Sequence, residues 1–233
     1  MGGVVGKGNT PVPEYDVLGH GASYELRAYE GYVVAEVENA GEGSEDDRFR
    51  TLAKYIGVFG NPANKVAGGN AGESIAMTAP VVTGDPAPDS GEKISGGEKI
   101  SMTAPVVVGP GSSTSTMQFI MPKQFKRISD LPAPTDSRVT LREVPENVYL
   151  VHQFSGNMGR GDGHDAIAER ERIVAVEKVA AEGGAFSEYV SADSKFSVAR
   201  YDPPWTLPFL RTNELWFPVP LSRTEAAAKL PTA

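Results

Sequence analysis

The chain has no cysteine. That excludes disulfide staples, a thiolate nucleophile and any Cys-ligated metal. It has only three histidines, little from which to build a histidine metal centre. No apolar run approaches the ~20 residues that span a bilayer. The N-terminus lacks the charged, then apolar, then small-residue order of a signal peptide. Residues 1–13 also lack the Ser and Arg of a transit peptide. The expected compartment is therefore cytoplasmic, with the plastid stroma as the alternative for a processed form. A basic excess is missing too: the net charge is −8. This argues against binding nucleic acid or anionic lipid through a broad basic face. No G-x-S-x-G elbow, P-loop or H-E-x-x-H is present. Carboxylates are many but scattered, so no acid/base pair can be chosen.

What remains is an ordinary globular composition, 40% hydrophobic and 22% charged over 233 residues. This is enough for one full domain with a core. Residues 1–13 are rich in Gly and Pro and predict a flexible lead-in. Tyr24–Tyr29 and Tyr32–Glu38 alternate like strands and, joined at Glu30-Gly31, predict a hairpin. Phe49, Leu52, Ala53 and Ile56 fall on one helical face. Asp46 and Asp47 stand at that helix's start, and Gly57 and Gly60 at its end. Residues 57–74 read as a loop, Ala76–Val82 as a strand, and 84–98 as an exposed insert. Ser101–Val108 and Thr116–Met121 follow as strands. Pro132-Ala133-Pro134 marks a linker.

The second half repeats the order. Arg138–Val144 and Asn147–Phe154 read as strands joined at Pro145-Glu146. Ala166, Ile173, Val176 and Ala180 predict a second helix, closed by Gly183-Gly184. Phe196–Tyr201 and Glu214–Val219 are strands, and 222–233 is a charged tail with some helical propensity. Leu141-Arg142-Glu143 aligns with Leu26-Arg27-Ala28. Val148, Leu150 and His152 fall opposite Val33, Ala35 and Val37. The expected fold is α+β: two pseudo-twofold strand–strand–helix–strand–strand units, residues 14–131 and 132–221, forming a distorted antiparallel β-barrel with two flanking helices.

The hexapeptide Met-Thr-Ala-Pro-Val-Val occurs twice, at Met77–Val82 and Met102–Val107. Together with Tyr24-Glu25-Leu26-Arg27, Phe49 to Gly57, Val139 to Pro145, Phe154-Ser155-Gly156, Tyr201-Asp202-Pro203-Pro204-Trp205 and Arg211 to Trp216, it resembles the SOUL family of haem-binding proteins over roughly residues 14–221. The resemblance implies a barrel of duplicated halves and a soluble, non-enzymatic carrier or buffer of haem or a related tetrapyrrole. It implies a shallow apolar cleft beside the first helix and the loop before the last strand, here Arg50 to Ile56 and Asp202 to Arg211. The insert at 83–98, the second hexapeptide and the Gly-Asn loop at 60–72 depart from the family pattern. The alternatives are an enzyme modifying or demetallating a tetrapyrrole, and a protein-interaction module on the same fold. No nucleic-acid partner and no membrane span are expected.

A tetrapyrrole needs a flat apolar slot, cations for its propionates, and sometimes an axial ligand. Arg50 and Lys54 are four apart on one helical face and suit carboxylates; they read equally as solvated surface charges. Ile56 ends the same helix. Met77 and Met102 offer adaptable apolar walls, or serve as strand core. Trp205 suits stacking on a macrocycle edge, or anchors its loop. Arg211 flanks the same loop. His152 lies in phase with Val148, Leu150 and Phe154 and is the metal-ligand candidate, or an ordinary buried hydrogen-bonding group.

Overall fold

The computed structural model describes residues 11–38, 44–69, 71–84, 93–95, 116–158, 162–203 and 205–230. Met102, the strand expected at Ser101–Val108, most of the insert and residues 1–10 of the lead-in lie outside them. The elements in chain order are β1 (Tyr15–His20), β2 (Glu25–Tyr29), β3 (Tyr32–Glu38), α1 (Glu45–Ile56), β4 (Asn64–Lys65), β5 (Val81–Gly84), β6 (Lys93–Ser95), β7 (Thr116–Ile120), β8 (Ala133–Pro134), β9 (Thr140–Val144), β10 (Asn147–Phe154), α2 (Asp162–Glu182), β11 (Ser197–Arg200), β12 (Asn213–Val219) and α3 (Arg223–Ala228).

All strands but β4 and β8 join one antiparallel sheet in the order β1-β2-β10-β12-β11-β5-β7-β3-β9-β6. The sheet curls strongly into a half-barrel. Among the described residues its edge strands β1 and β6 do not pair with one another, so what is seen of the expected barrel is a half-barrel. The α+β class stands.

The two expected strand-to-strand joins are present, but neither is a hairpin. β2 pairs with β1 and β10, while β3 pairs with β7 and β9. A two-residue hairpin needs positive φ in its turn, and Gly31 does not take one. The chain instead turns a corner there and carries β3 to the far half of the sheet. Pro145-Glu146 does the same between β9 and β10. The two corners lie side by side, with Tyr29 opposite Asn147 and Tyr32 opposite Val144.

α1 forms where the apolar stripe predicts it. Ser44 caps it by accepting from the Asp47 amide. Glu45, Asp46 and Asp47 face the positive end of the helix dipole. Gly57 ends it at φ 86°, a conformation that disfavours other residues. Leu52, Ala53 and Ile56 are buried against Val33, Ala35, Met117, Phe119 and Leu141 of the sheet. α2 covers the other half, but on a different stripe from the expected one. Ala168, Ala175 and Val179 are buried, while Ile173 is 47% exposed. Small residues let the helix approach the strands closely. Arg172, on the same stripe, is satisfied by Glu169 and by the Ser191 and Ala192 carbonyls. After β12 the chain enters α3 through a Ser222/Glu225 capping box. Ala226 of α3 is fully buried.

The inner face holds a third cluster with Tyr29, Val34, Tyr149, Val151, Ala199 and Trp216. The rings of Tyr29, Tyr149 and Trp216 lie 5.0–5.7 Å apart between centroids, within the range of attractive aromatic pairs. Charges share this interior in matched sets. Arg142 Nη2 donates to Glu36 at 3.0 Å, and Gln118 Nε2 donates to the same carboxylate at 3.0 Å. Glu214 accepts from Arg27 (2.9 Å), Tyr201 (2.6 Å) and Trp216 (2.8 Å). Such pairing is what makes buried charge tolerable.

Candidate functional site

α1 presents two faces of opposite character. Asp46, Asp47, Arg50 and Lys54 occupy the ridge turned away from the sheet and are all exposed. Their spacing places acids one turn from the bases. The acids continue beyond the helix: Arg138 bridges Asp47 at 2.9 Å and Asp136 at 2.8 Å. The Arg138 hydrogen bond, working against partial burial, holds the Asp136 carboxyl below its ordinary value, with Lys54 adding to the effect. Arg50 and Lys54 thus form part of a mixed-charge ridge. Ile56, one turn on, points the other way and is 1% exposed in the core. Met77 is half-buried and packs on the same cluster.

The α1 C-terminus is pinned from the loop that follows. Asn64, 3% exposed, donates to the carbonyls of Tyr55 (2.7 Å) and Glu73 (2.8 Å) and accepts from the Glu73 amide (2.8 Å). The expected loop at 57–74 is tied down at its middle, with β4 paired to β8.

The segment between β11 and β12 is braced at its root and apolar at its tip. Tyr201 N donates to the Thr212 carbonyl, and Thr212 N to Asp202 at 2.7 Å. Arg211 Nε donates to the Thr206 carbonyl (2.8 Å) and its Nη1 to Asn157 (2.9 Å). Arg211 is a brace of this loop. Thr206 is buried, whereas Trp205 is 78%, Leu207 47% and Phe209 71% exposed. A loop held this firmly presents its apolar side chains as a fixed patch.

Between this loop and α1 runs a line of polar residues that the spacing argument passed over. Glu45 and Arg48 are one helical turn apart. Arg200, at the end of β11, forms an ion pair with Glu45. Arg200 pairs with Val81 and Val198 with Thr83, so Arg200 and Thr83 are diagonal neighbours on one face. Among the described residues, Arg48 Nε, Thr83 Oγ1 and Arg200 Nε are buried side-chain atoms without a hydrogen bond, and Glu45 Oε1 is held by its ion pair with Arg200 alone. A readable signal did exist. Arg48 lies four residues before Leu52, on the apolar side of the helix, and Arg200 is in phase with Val198.

His152 stands apart from all of this. It is 3% exposed, and its Nδ1 lies 2.7 Å from the Ser23 carbonyl. A carbonyl only accepts, so Nδ1 carries a proton there. Its face is that of Val148 and Leu150, which belong to the α2-side cluster. The structure thus gathers Ile56 with Met77 in one cluster and Arg50 with Lys54 on one ridge, and places Trp205 and Arg211 in the same loop. Among the described residues no group of three or more His, Cys, Asp or Glu is placed to hold a metal. No helix among them is long and apolar enough to cross a membrane.

No curated protein matches the chain. Two solved structures resemble it weakly. One is the EcmrR–DNA complex, at 11% identity and TM-score 0.43, covering 84% of this chain and 56% of that one. The other is the EcmrR C-terminal domain, at 12% identity and TM-score 0.42, covering 89% and 99%. The family model described as SOUL heme-binding protein matches residues 10–93 and 90–218. The chain belongs to the SOUL heme-binding protein family.

Proposed function

We propose that this protein is a reversible carrier or buffer of haem or a related tetrapyrrole, holding the ring on its outer surface between α1 and the loop of residues 201–212. The observation that carries this reading is the braced apolar tip of Trp205, Leu207 and Phe209. The half-barrel interior is the other conceivable location. It holds tilted and edge-to-face aromatic rings and paired charges, which favours the outside. On this reading Trp205 stacks on the macrocycle, Met77 and the stem of Lys54 border it, Arg50 and Arg211 flank it, and Ile56 belongs to its wider surroundings. Family membership supports haem as the ligand. Iron ligation by His152 would require the α2-side face to open, so ring burial and carboxylate pairing are the proposed sources of affinity.

The duplication is part of the same reading. The sheet runs β2-β10-β12-β11 from one side and β9-β3-β7-β5 from the other, the order that two copies exchanging their first strands would give.

Hemin and a metal-free porphyrin, titrated separately, should each produce a saturable absorption shift and quench tryptophan fluorescence. Energy transfer to the pigment reaches buried Trp216 as well as Trp205, so Trp205→Phe should still be quenched at saturation but should need more pigment to reach it. The pigment should be recovered unaltered after prolonged incubation. Absence of a saturable shift would reject the carrier reading, and altered pigment would replace it with an enzyme.

A further inference from the structure

The repeated hexapeptide is the centre of a longer repeat. Residues 72–84, Gly-Glu-Ser-Ile-Ala-Met-Thr-Ala-Pro-Val-Val-Thr-Gly, return at 97–109 as Gly-Glu-Lys-Ile-Ser-Met-Thr-Ala-Pro-Val-Val-Val-Gly. The two stretches matched by the family model each contain one copy. The first copy supplies β5, which lies between β11 and β7. The demands this slot makes are met by residues the copies share. Ile75, Ala79 and Val82 are buried, and their counterparts are Ile100, Ala104 and Val107. Thr78 donates to the Ile120 carbonyl, and Thr103 matches it. A Cβ on Gly72 would lie 2.8 Å from the Pro62 carbonyl oxygen, and one on Gly84 2.7 Å from that of Phe196. Gly97 and Gly109 stand at these places. The copies differ at three positions. At two of them, Ser74 against Lys99 and Ala76 against Ser101, the first copy is exposed. The third is Thr83, whose buried hydroxyl has no hydrogen bond. Val108 stands in its place and removes that cost.

We infer that the β5 slot accepts either copy, so that the chain folds as two strand isomers. In one, residues 72–84 fill the slot and residues 85–115 link it to β7. In the other, residues 97–109 fill it and the link shrinks to Pro110-Gly111-Ser112-Ser113-Thr114-Ser115. Gly84 lies opposite Thr116. Gly109 takes that place in the second isomer, and a short run of turn-forming residues closes a hairpin. The displaced chain moves to the other end of the strand, between β4 and the slot. Loop-closure entropy changes slowly with length, so this transfer leaves the isomers close in stability. The exchange also alters a surface. Ser74 Oγ lies 3.3 Å from where a Cβ on Gly57 would stand. Lys99 in that place brings a positive charge to the C-terminal end of α1, where the helix dipole favours it. None of this depends on the tetrapyrrole reading.

The test places aspartate at the buried valine of either copy in the full chain. An aspartate in the slot is a buried, unpaired charge. Val82→Asp and Val107→Asp should each melt within about 6 °C of wild type, because the intact copy fills the slot. The Val82→Asp/Val107→Asp double variant should lose its cooperative transition. Val82→Asp as damaging as the double variant overturns the inference, because the second copy then cannot take the slot. Val107→Asp as damaging as the double variant overturns it too, because the slot then belongs to the second copy alone. So does a double variant that melts near wild type. A second measurement works on folded protein. The chain has no cysteine, so at low protein concentration two introduced thiols pair only with each other. Thr83 is the Cα partner of Val198, within reach of a disulfide. Thr83→Cys/Val198→Cys and Val108→Cys/Val198→Cys should both oxidise. Val107→Cys/Val198→Cys, one residue out of phase, should not. A disulfide in the first pair alone, or one formed equally in the out-of-phase pair, overturns the exchange.

Discussion

Glu214→Gln is the sharpest test of how the half-barrel interior is held together. Glu214 is 3% exposed and accepts from three donors: Arg27, Tyr201 and Trp216. Burial first, and then the nearby Glu214 carboxylate, push the Tyr201 phenol well above its ordinary value, so Tyr201 remains a donor. Glutamine keeps the volume but offers one acceptor oxygen and an NH2 where three donors converge. Removing one partner of a buried pair costs about 3–5 kcal/mol. The retained carbonyl places this change near the lower end, about 3 kcal/mol, or about 6–12 °C of melting temperature for a chain of this size. Glu25→Gln is the control. Glu25 contacts the same Arg27 at 2.7 Å but has a side chain 42% exposed, where pairs are worth about 1 kcal/mol or less. Melting followed by circular dichroism at neutral pH should rank Glu214→Gln well below Glu25→Gln. Equal shifts in the two variants would refute the claim that burial decides the value of the pair.

Three further outcomes follow from single contacts. A carboxyl held below its ordinary value contributes stability that is present above the unfolded value, 3.8 for Asp136, and lost as pH falls through the folded one. Asp136→Asn should therefore melt slightly below wild type at neutral pH, by at most about 1 kcal/mol because the group is partly solvated. The gap should narrow as pH falls below 3.8 and through the lowered folded value, and a gap of undiminished size in acid would contradict the assignment. Asn64→Ala should cost about 2–3 kcal/mol, since it strands backbone groups of Tyr55 and Glu73; hydrogen exchange at the Glu73 amide should accelerate, and unchanged protection there would refute the clamp. Gly84 sits at φ 129°, and a Cβ would lie 2.7 Å from the Phe196 carbonyl oxygen and 2.9 Å from the Ser197 Cα. Gly84→Ala, made in the Val107→Asp background, should cost about 3 kcal/mol or more, and an unshifted melting temperature would show that β5 and β11 can part freely.

The sequence was most legible where one local pattern decides the outcome. The α1 stripe, its acidic first turn and Gly57 all point the same way, and Leu52, Ala53 and Ile56 are buried as expected. α2 was misread in phase because Arg172 occupies the true stripe. A charge satisfied by Glu169 and two loop carbonyls looks from sequence like a solvated face. Strand existence was visible, but pairing was not. Nothing in Glu30-Gly31 or Pro145-Glu146 records that each join crosses to the other side of the sheet. The interior charges were hidden for a related reason. Arg27 alternates with Leu26 and Ala28, which reads as polar side out, yet its partner Glu214 is 187 residues away. In the candidate site, Arg50 and Lys54 stood out because they are four apart. That spacing guarantees a shared face without saying which way the face points. Arg200 comes from a separate element and becomes a neighbour of Glu45 only when α1 docks on the sheet.

Stability and binding should separate cleanly between Glu214, buried on the inner face, and Trp205, at the exposed loop tip. Trp205 is 78% exposed and Trp216 is 1% exposed. Truncating an exposed side chain away from special contacts changes stability by about 0.5 kcal/mol or less, so Trp205→Ala should melt within about 2 °C of wild type. Aromatic stacking beyond simple burial is worth about 0.5–1.5 kcal/mol, and the lost apolar contact adds to it. Porphyrin affinity of Trp205→Ala should therefore fall by roughly ten-fold or more. Glu214→Gln should do the reverse, lowering the melting temperature while leaving affinity near wild type below the transition. The two variants together form a stronger test than either alone. If Trp205→Ala destabilised the chain as Glu214→Gln does, the loop tip would be a packing element and not a ligand platform. If Glu214→Gln abolished binding in protein that is still folded, the pigment would have to contact the inner face, and the outer site between α1 and the loop would be the wrong one.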